Sequence, residues 1–218
     1  MTRYYGIPTT SNQPANVWNN TAQTTERAFT YDAAGNLLTD NRAGTTYTFT
    51  YNKANRPASL AIGSTTRASY TYDAFDRLVT RVLTNGTPNL STHLIYDRAG
   101  HVIAEDNGAG VILREYIWMG DRPVAVIANA NTASPSIYNV YVDHVGRPFM
   151  MTDATRSVVW QAKYKPFGEV YSITGSASLD ARFPGQWFQI EDGLLYNPAA
   201  KPPALLGRLK AVQRFQEC

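Results

Sequence analysis

One eleven-residue pattern recurs along this chain and leaves it few folds to choose from. Phe29-Thr-Tyr-Asp-Ala-Ala-Gly-Asn-Leu-Leu-Thr39 returns as Phe49-Thr-Tyr-Asn-Lys-Ala-Asn-Arg-Pro-Ala-Ser59. It returns again from Tyr70 to Thr80 and from Leu94 to Ala104, with looser copies at Tyr116–Val126, Tyr141–Met151 and Ala162–Ser172. Each unit can be anchored on the residue after its Gly, Asn or Asp corner: Asn36, Arg56, Arg77, His101, Arg122, Arg147 and Glu169. The anchors follow one another at near-constant intervals. Regular spacing of this kind, twenty to twenty-five positions each time, marks a tandem array of about seven supersecondary units.

The content of a unit says which structure repeats. Phe29, Phe49 and Tyr70 each precede a Tyr by two positions, the alternation that sets both rings on one face of a strand. Asp or Asn follows and can bond amides two residues on, and the fourth corner position holds Gly, Asn or Asp, which tolerate positive φ. The chain then leaves through apolar pairs such as Leu37-Leu38, Leu78-Val79 and Val102-Ile103. A unit therefore reads as a strand, a tight turn and a strand, with polar stretches such as Asn85-Gly86 and Asn107-Gly108 joining one unit to the next. A lone hairpin is marginal in water, so the units must pair edge to edge. The expected fold class is all-β: tandem antiparallel β-hairpins in a long sheet that is part of a curled or spiralling shell. Corners are expected near 32–36, 52–56, 73–77, 97–101, 118–122, 143–147 and 165–169, with Trp118 one step out of register in its unit.

Composition agrees: 14 Tyr, 8 Phe and 4 Trp suit a pleated, half-buried surface, and 15 Gly with 12 Pro supply the turns. The net charge of +3 is local, because Lys201, Arg208, Lys210 and Arg214 stand against Glu217 alone and residues 1–197 sum to zero. A neutral body argues against a nucleic-acid surface, which needs clustered cations facing phosphates. Cys218 is the only cysteine, so no intrachain disulfide forms. No apolar run is long enough to span a membrane, and the first residues lack the apolar stretch of a signal peptide. Asn19, Asn85 and Asn89 begin N-x-Ser/Thr triplets, but with no secretory signal they are read as unmodified. The expected location is cytoplasmic before any export, or secreted or cell-surface as part of a larger system.

These motifs resemble a known family. The Tyr-Asp-x-x-Gly-Asn/Arg units resemble the YD repeats of bacterial Rhs proteins, also found in insecticidal toxin-complex subunits and animal teneurins. Tyr141-Val-Asp-His-Val-Gly-Arg-Pro-Phe-Met-Met-Thr-Asp153, Trp160-Gln-Ala-Lys-Tyr-Lys-Pro-Phe-Gly168 and Arg182-Phe-Pro-Gly-Gln-Trp-Phe188, with Gly193-Leu-Leu-Tyr-Asn197, resemble three boxes of the Rhs repeat-associated core in the family's order. The resemblance spans residues 27–197 and implies a β-shell, a cocoon around a toxic polypeptide that an aspartyl autoproteolysis severs. After Asn197 the sequence departs from the family and holds no Asp-Pro pair, so it reads as a copy truncated before the autoprotease and toxin segments. The expected organisation is an irregular or partial repeat over 1–26, the array over 27–197 and a divergent tail over 198–218, helical or disordered. In that tail Leu205, Leu209 and Val212 fall on one side of a helix, as a docking or membrane-surface segment would arrange them, or by accident in a read-through. The tail is expected to fold over the open face of the shell or to stay disordered.

No catalytic, cofactor-binding or metal-binding residues are assigned, and no enzyme is expected. Asp143-His144 lacks a Ser or Cys nucleophile in a recognisable setting and is read as part of a turn. His93, His101 and His144 lack metal-ligand spacing. Glu191-Asp192 would point to opposite faces of a strand, and the resemblance places the pair in a turn. The expected partners are proteins: a toxin cargo, a larger Rhs-type protein or further copies of the chain. Carbohydrate is the alternative, in a sugar- or cell-surface-binding module whose Tyr31, Tyr51 and Tyr72 rings stack on sugars; exposure of those rings decides between the two.

Overall fold

The computed structural model describes residues 4–18, 24–84, 89–165, 170–182, 186–189, 191 and 193–196. Strands β1 (Tyr4–Gly6), β2 (Asn16–Trp18) and β3 (Thr25–Tyr31) open the sheet. It continues through β4 (Leu37–Arg42), β5 (Thr45–Tyr51), β6 (Pro57–Ile62), β7 (Thr65–Tyr72), β8 (Leu78–Leu83) and β9 (Leu90–Tyr96). Next come β10 (Val102–Asp106), β11 (Ile112–Met119), β12 (Arg122–Ala128) and β13 (Ser136–Val142). The last strands are β14 (Pro148–Thr152), β15 (Val158–Tyr164) and β16 (Val170–Gly175). All sixteen pair antiparallel in chain order to make one sheet, and β1 and β16 do not meet, so it is not closed into a barrel. Two short strands, β17 (Trp187–Gln189) and β18 (Leu194–Tyr196), pair separately. No helix occurs among the described residues; the tail at 198–218 lies outside them.

The corners form as their residue types dictate. The amides of Asp32, Asn52, Asp73, Asp97 and Asp143 donate to the carbonyls of Asn36, Arg56, Arg77, His101 and Arg147 at 2.9–3.0 Å. The Asx side chain closes the loop a second time: Asp73 Oδ1 accepts the amides of Phe75 and Arg77, both at 2.9 Å. The fourth residue turns the chain with positive φ, whether it is Gly35, Asn55 or Asp76. One expected corner differs. At 118–122 the turn is two residues, Gly120-Asp121, with Met119 paired to Arg122. Four positions separate Trp118 from its anchor, where five separate Tyr51 from Arg56, and the Asx loop has no room. The corner at 165–169 lies outside the described residues beyond Lys165.

Every unit also carries a β-bulge where its strand meets its corner. Tyr31 pairs with Leu37 while Thr30 pairs with Thr39, leaving Leu38 without an opposite number. Ala58, Val79, Ile103, Val124, Phe149 and Tyr171 are the equivalent extra residues. A bulge bends the strand and increases its twist, so seven in series curl the sheet towards one face. It also breaks the alternation: Leu37 and Asp40, Pro57 and Leu60, and Leu78 and Arg81 are buried three apart instead of two.

The inner face is the core. Phe29, Phe49, Tyr70, Tyr116 and Trp160 are all buried, and the second aromatic of each pair, such as Tyr31, Tyr51 or Trp118, packs partly buried against them. Behind β16 the chain turns inward, and residues 176–182 run across this face with Trp187 and Glu191. Asp180 lies 3.8 Å from Arg81 of β8, while the Arg182 guanidinium lies 5.9 Å from the Trp160 ring of β15. Those strands are seven places apart in the sheet. Laid flat at roughly 4.8 Å a step they would be about 34 Å apart, beyond the reach of two residues separated by one. The sheet therefore curls round this segment, with Leu179, Ala181 and Trp187 buried inside.

Candidate functional site

Two features of the shell can do work: a ladder of side chains along the corner rim, and a charged lining inside. In the ladder Asn36, Arg56, Arg77, His101 and Arg147 each hold their own corner and reach the next unit. Asn36 Nδ2 donates to Asp32 Oδ2 at 2.8 Å and to Asn55 Oδ1 at 3.0 Å. Arg56 Nη2 reaches Asp76 Oδ2 at 2.9 Å. Arg77 Nε donates to Asp73 Oδ2 at 2.7 Å, Nη1 reaches the Asp97 carbonyl at 3.3 Å, and the guanidinium lies over Tyr96. His101 sits 2.9 Å from both Asp97 and Asp121 and stacks on Trp118. Arg147 repeats the pattern with Asp143 and Tyr164. Asn55 and Asp76 thus serve twice: they tolerate positive φ, as glycine does, and they offer an oxygen to the preceding rung. Where that position is Gly100, Arg77 turns to a backbone carbonyl instead.

The second aromatic of each unit ties the same rim. Tyr51 Oη donates to the Leu37 carbonyl, Tyr96 Oη to Leu78 and Tyr164 Oη to Pro148, at 2.7–2.8 Å. Trp118 Nε1 makes the equivalent bond to Val102 at 2.8 Å, so the unit that departs in register keeps the contact with a longer side chain. Tyr31 Oη bonds the Pro14 carbonyl at 2.9 Å, which brings the N-terminal segment into the same system.

Inside, charges meet where the bulges turn side chains inward. Asp40 has no exposed surface and accepts from Arg42 Nε at 2.7 Å and from Arg27 Nε at 3.0 Å, a charge held by two guanidinium groups. Further along, Glu105 Oε1 accepts from Tyr116 Oη at 2.7 Å, and its Oε2 lies 3.6 Å from Arg114. Burial pushes the Glu105 carboxyl above the usual range, with Arg114 and Tyr116 opposing it. The inward segment completes the cluster: Arg114 donates to Ser178 Oγ at 2.6 Å, Tyr70 Oη to Glu191 Oε1 at 2.8 Å, and Arg81 lies 3.8 Å from Glu191. A cavity of about 470 Å³ remains here, with Arg81, Glu105, Arg114 and Asp180 among its polar lining and Leu83, Val126 and Tyr138 among its apolar walls.

Of the residues singled out in sequence, Asp143 caps a corner. Burial alone would raise its carboxyl, but bonds from the Arg147 amide and guanidinium hold it below the usual range. His144 is exposed at the tip of that corner. The three histidines stay apart: His93 pairs with Asp106 at 3.1 Å on the outer face, and His101 belongs to the ladder. Among the described residues no group of three or more His, Cys, Asp or Glu side chains is placed to hold a metal ion. Glu191 lies in the turn between β17 and β18, with its side chain buried against Tyr70; Asp192 lies outside the described residues. Sequence reading missed Asp40, Arg81 and Glu105. Their signal is a charged residue three positions after the first residue of a return strand, which strict alternation assigns to solvent.

A family model described as RHS protein matches residues 138–172, which cover β13 to the first half of β16. The chain is 26% identical over 229 aligned positions to the double-stranded DNA deaminase toxin A of Burkholderia cenocepacia. That alignment takes in 78% of this chain and 16% of the relative, so the chain spans about a sixth of the length of the curated relative it matches. Among solved structures, a TcdB2–TccC3 crystal structure is similar at 11% identity and a TM-score of 0.49, over 79% of this chain and 12% of that one. The Photorhabdus luminescens Tc holotoxin pore follows at 11% identity and a TM-score of 0.34, over 89% and 16%.

Proposed function

We propose, from the premise that this chain is an Rhs-family repeat protein, that it is a section of shell wall whose inner face encloses a polypeptide and that it catalyses no reaction. The observation that supports this reading most is the curl itself. A single sheet with one buried, partly charged face already wraps a later stretch of chain that includes Leu179, Asp180 and Arg182, and among the described residues its first and last strands are each paired on one side only. Unpaired edges of this kind accept further strands, so the section joins a larger Rhs-type protein or further copies of itself. Its partners are then protein: the neighbouring wall and an enclosed cargo. It works inside the cell before export and, as part of a larger assembly, outside it or at a cell surface. Among the described residues no helix is long and apolar enough to cross a membrane. The sugar-binding alternative is disfavoured by the tyrosines: Tyr31 and Tyr51 are partly buried, and their hydroxyls are spent on backbone carbonyls.

The test is size-exclusion chromatography with light scattering on the whole chain, followed by protease challenge of an unstructured passenger fused after residue 218. A wall section elutes as an oligomer and shields the passenger. A stable monomer whose passenger is digested at the rate of free peptide would defeat the proposal. Incubation at 37 °C with mass readout tests the absence of self-cleavage, and the chain should stay intact at 24.2 kDa.

A further inference from the structure

The rungs of the corner ladder are not chemically equal. Arg56, Arg77 and Arg147 carry a permanent charge and Asn36 carries none, so none of them changes near neutral pH. His101 titrates in that range. Its Nδ1 lies 2.9 Å from Asp97 Oδ2 in its own corner, and its Nε2 lies 2.9 Å from Asp121 Oδ1 in the next turn. The ring is stacked on Trp118, 4.7 Å between centroids and 19° between planes, so it cannot swing away from either carboxylate without losing that contact.

A neutral imidazole has one N–H and one lone pair, whereas only the imidazolium donates from both nitrogens. Two carboxylates, one at each end of the ring, therefore require the charged form. We propose that His101 is a protonation-controlled rung that fastens the corner rim of the fourth repeat to that of the fifth at acidic to neutral pH and loosens this junction as the pH rises.

When the ring loses its proton, one aspartate faces a lone pair and either the bond within the corner or the bond between repeats is lost. The other groups facing this rung do not compensate. Asp97 and Asp121 are both anionic, and the cation of the preceding corner, Arg77, is committed to the Asp97 carbonyl and to Tyr96. Burial alone would lower the His101 pKa, but the bonds and charges of Asp121 and Asp97 outweigh it and raise the value above the ordinary one. A raised folded-state value means that the stabilisation is complete below about 6.5 and is lost as pH rises through the folded-state pKa. The switch falls where the Asx corner is replaced by the two-residue turn, so this junction has no second corner loop to hold it.

The test uses the whole chain and amide hydrogen exchange, corrected for intrinsic rates, at pH 6 and pH 8.5, with His101 itself titrated by NMR. The local opening constant of β10 and β11 should rise about three- to fivefold between the two pH values, the size expected for one partly exposed charged contact. His101→Arg, which installs the side chain used at other rungs, should abolish that dependence and keep the low-pH protection. Asp121→Asn should lower the His101 titration midpoint. Equal protection of β10 and β11 at both pH values, a midpoint at or below that of a free histidine, or an Arg variant with the wild-type pH dependence would each overturn the proposal.

Discussion

The two rims of this sheet are built on opposite plans. On the corner rim, four of the first five turns and the turn at 143–147 share one five-residue loop, one Asx cap and an anchor side chain that reaches the neighbouring unit. On the other rim the connections run from two residues, Ala43-Gly44 and Gly63-Ser64, to seven between Ala128 and Ser136. Two of these, at 107–111 and 153–157, copy the Asx loop, with Asn107 capping Val111 and Asp153 capping Ser157. The widest intervals between anchors, Arg77 to His101 and Arg122 to Arg147, contain the long connections on this second rim. Repeats in such an array contact only their neighbours, and the comparison shows where that coupling resides. A rim with rungs must keep its spacing, and a rim without them absorbs insertions.

The sharpest way to break the comparison is a matched insertion. Two glycines placed between Ala54 and Asn55 should cost about 2–4 kcal/mol, because they destroy a capped corner and pull Asn55 away from Asn36. The same pair between Ala43 and Gly44 should cost under about 1 kcal/mol, the scale of lengthening a surface loop. Urea unfolding of both variants measures the difference, and equal losses would show that the rims are equivalent. Next in size is Asp73→Ala, which removes the acceptor of two amides and of the Arg77 side chain, at about 2–3 kcal/mol. Asn107→Ala on the other rim, capping two amides without a rung, should cost about half as much. Tyr51→Phe keeps the ring and strips the Leu37 carbonyl of its phenol, for about 1 kcal/mol by thermal or urea unfolding.

The smallest effects are in pH. Asp73, Asp97 and Asp143 on the corner rim are held below the ordinary carboxylate value, burial opposing and hydrogen bonds prevailing. Lowered folded values contribute stability above about 3.9 that is lost as pH falls through them. Glu105 has the opposite sign: its raised value means stability present below the unfolded pKa and lost as pH rises through the folded one. Stability should therefore fall on the acid side through the corners and decline again above that range through Glu105. Glu105→Gln should flatten only the second limb.

Much of this was legible in residues. Phe29-x-Tyr31-Asp32 and its copies announced the hairpins, their corners and their antiparallel order, because strand alternation and turn chemistry are local and each unit states them afresh. Even the weak unit was flagged by Trp118 standing one step out of place. The candidate site was far less legible. Leu37 with Asp40 and Leu78 with Arg81 are both inward only because a bulge adds a residue after each corner, and nothing in Leu37-Leu38 by itself announces a bulge.

What the sequence by itself determined is thus the repeating element, its order and its polarity of faces, all set by interactions within about twenty residues. What only the tertiary structure decided is which charges face inward and what meets them. Tyr70 and Glu191 are 121 positions apart, and Arg81 finds Asp180 and Glu191 only because bulged strands curl round the segment that carries them. The physical reason is that each bulge bends the sheet by a small amount, and the sum over seven repeats fixes where a distant segment can lie. That sum is a property of the assembled sheet, which no single repeat contains.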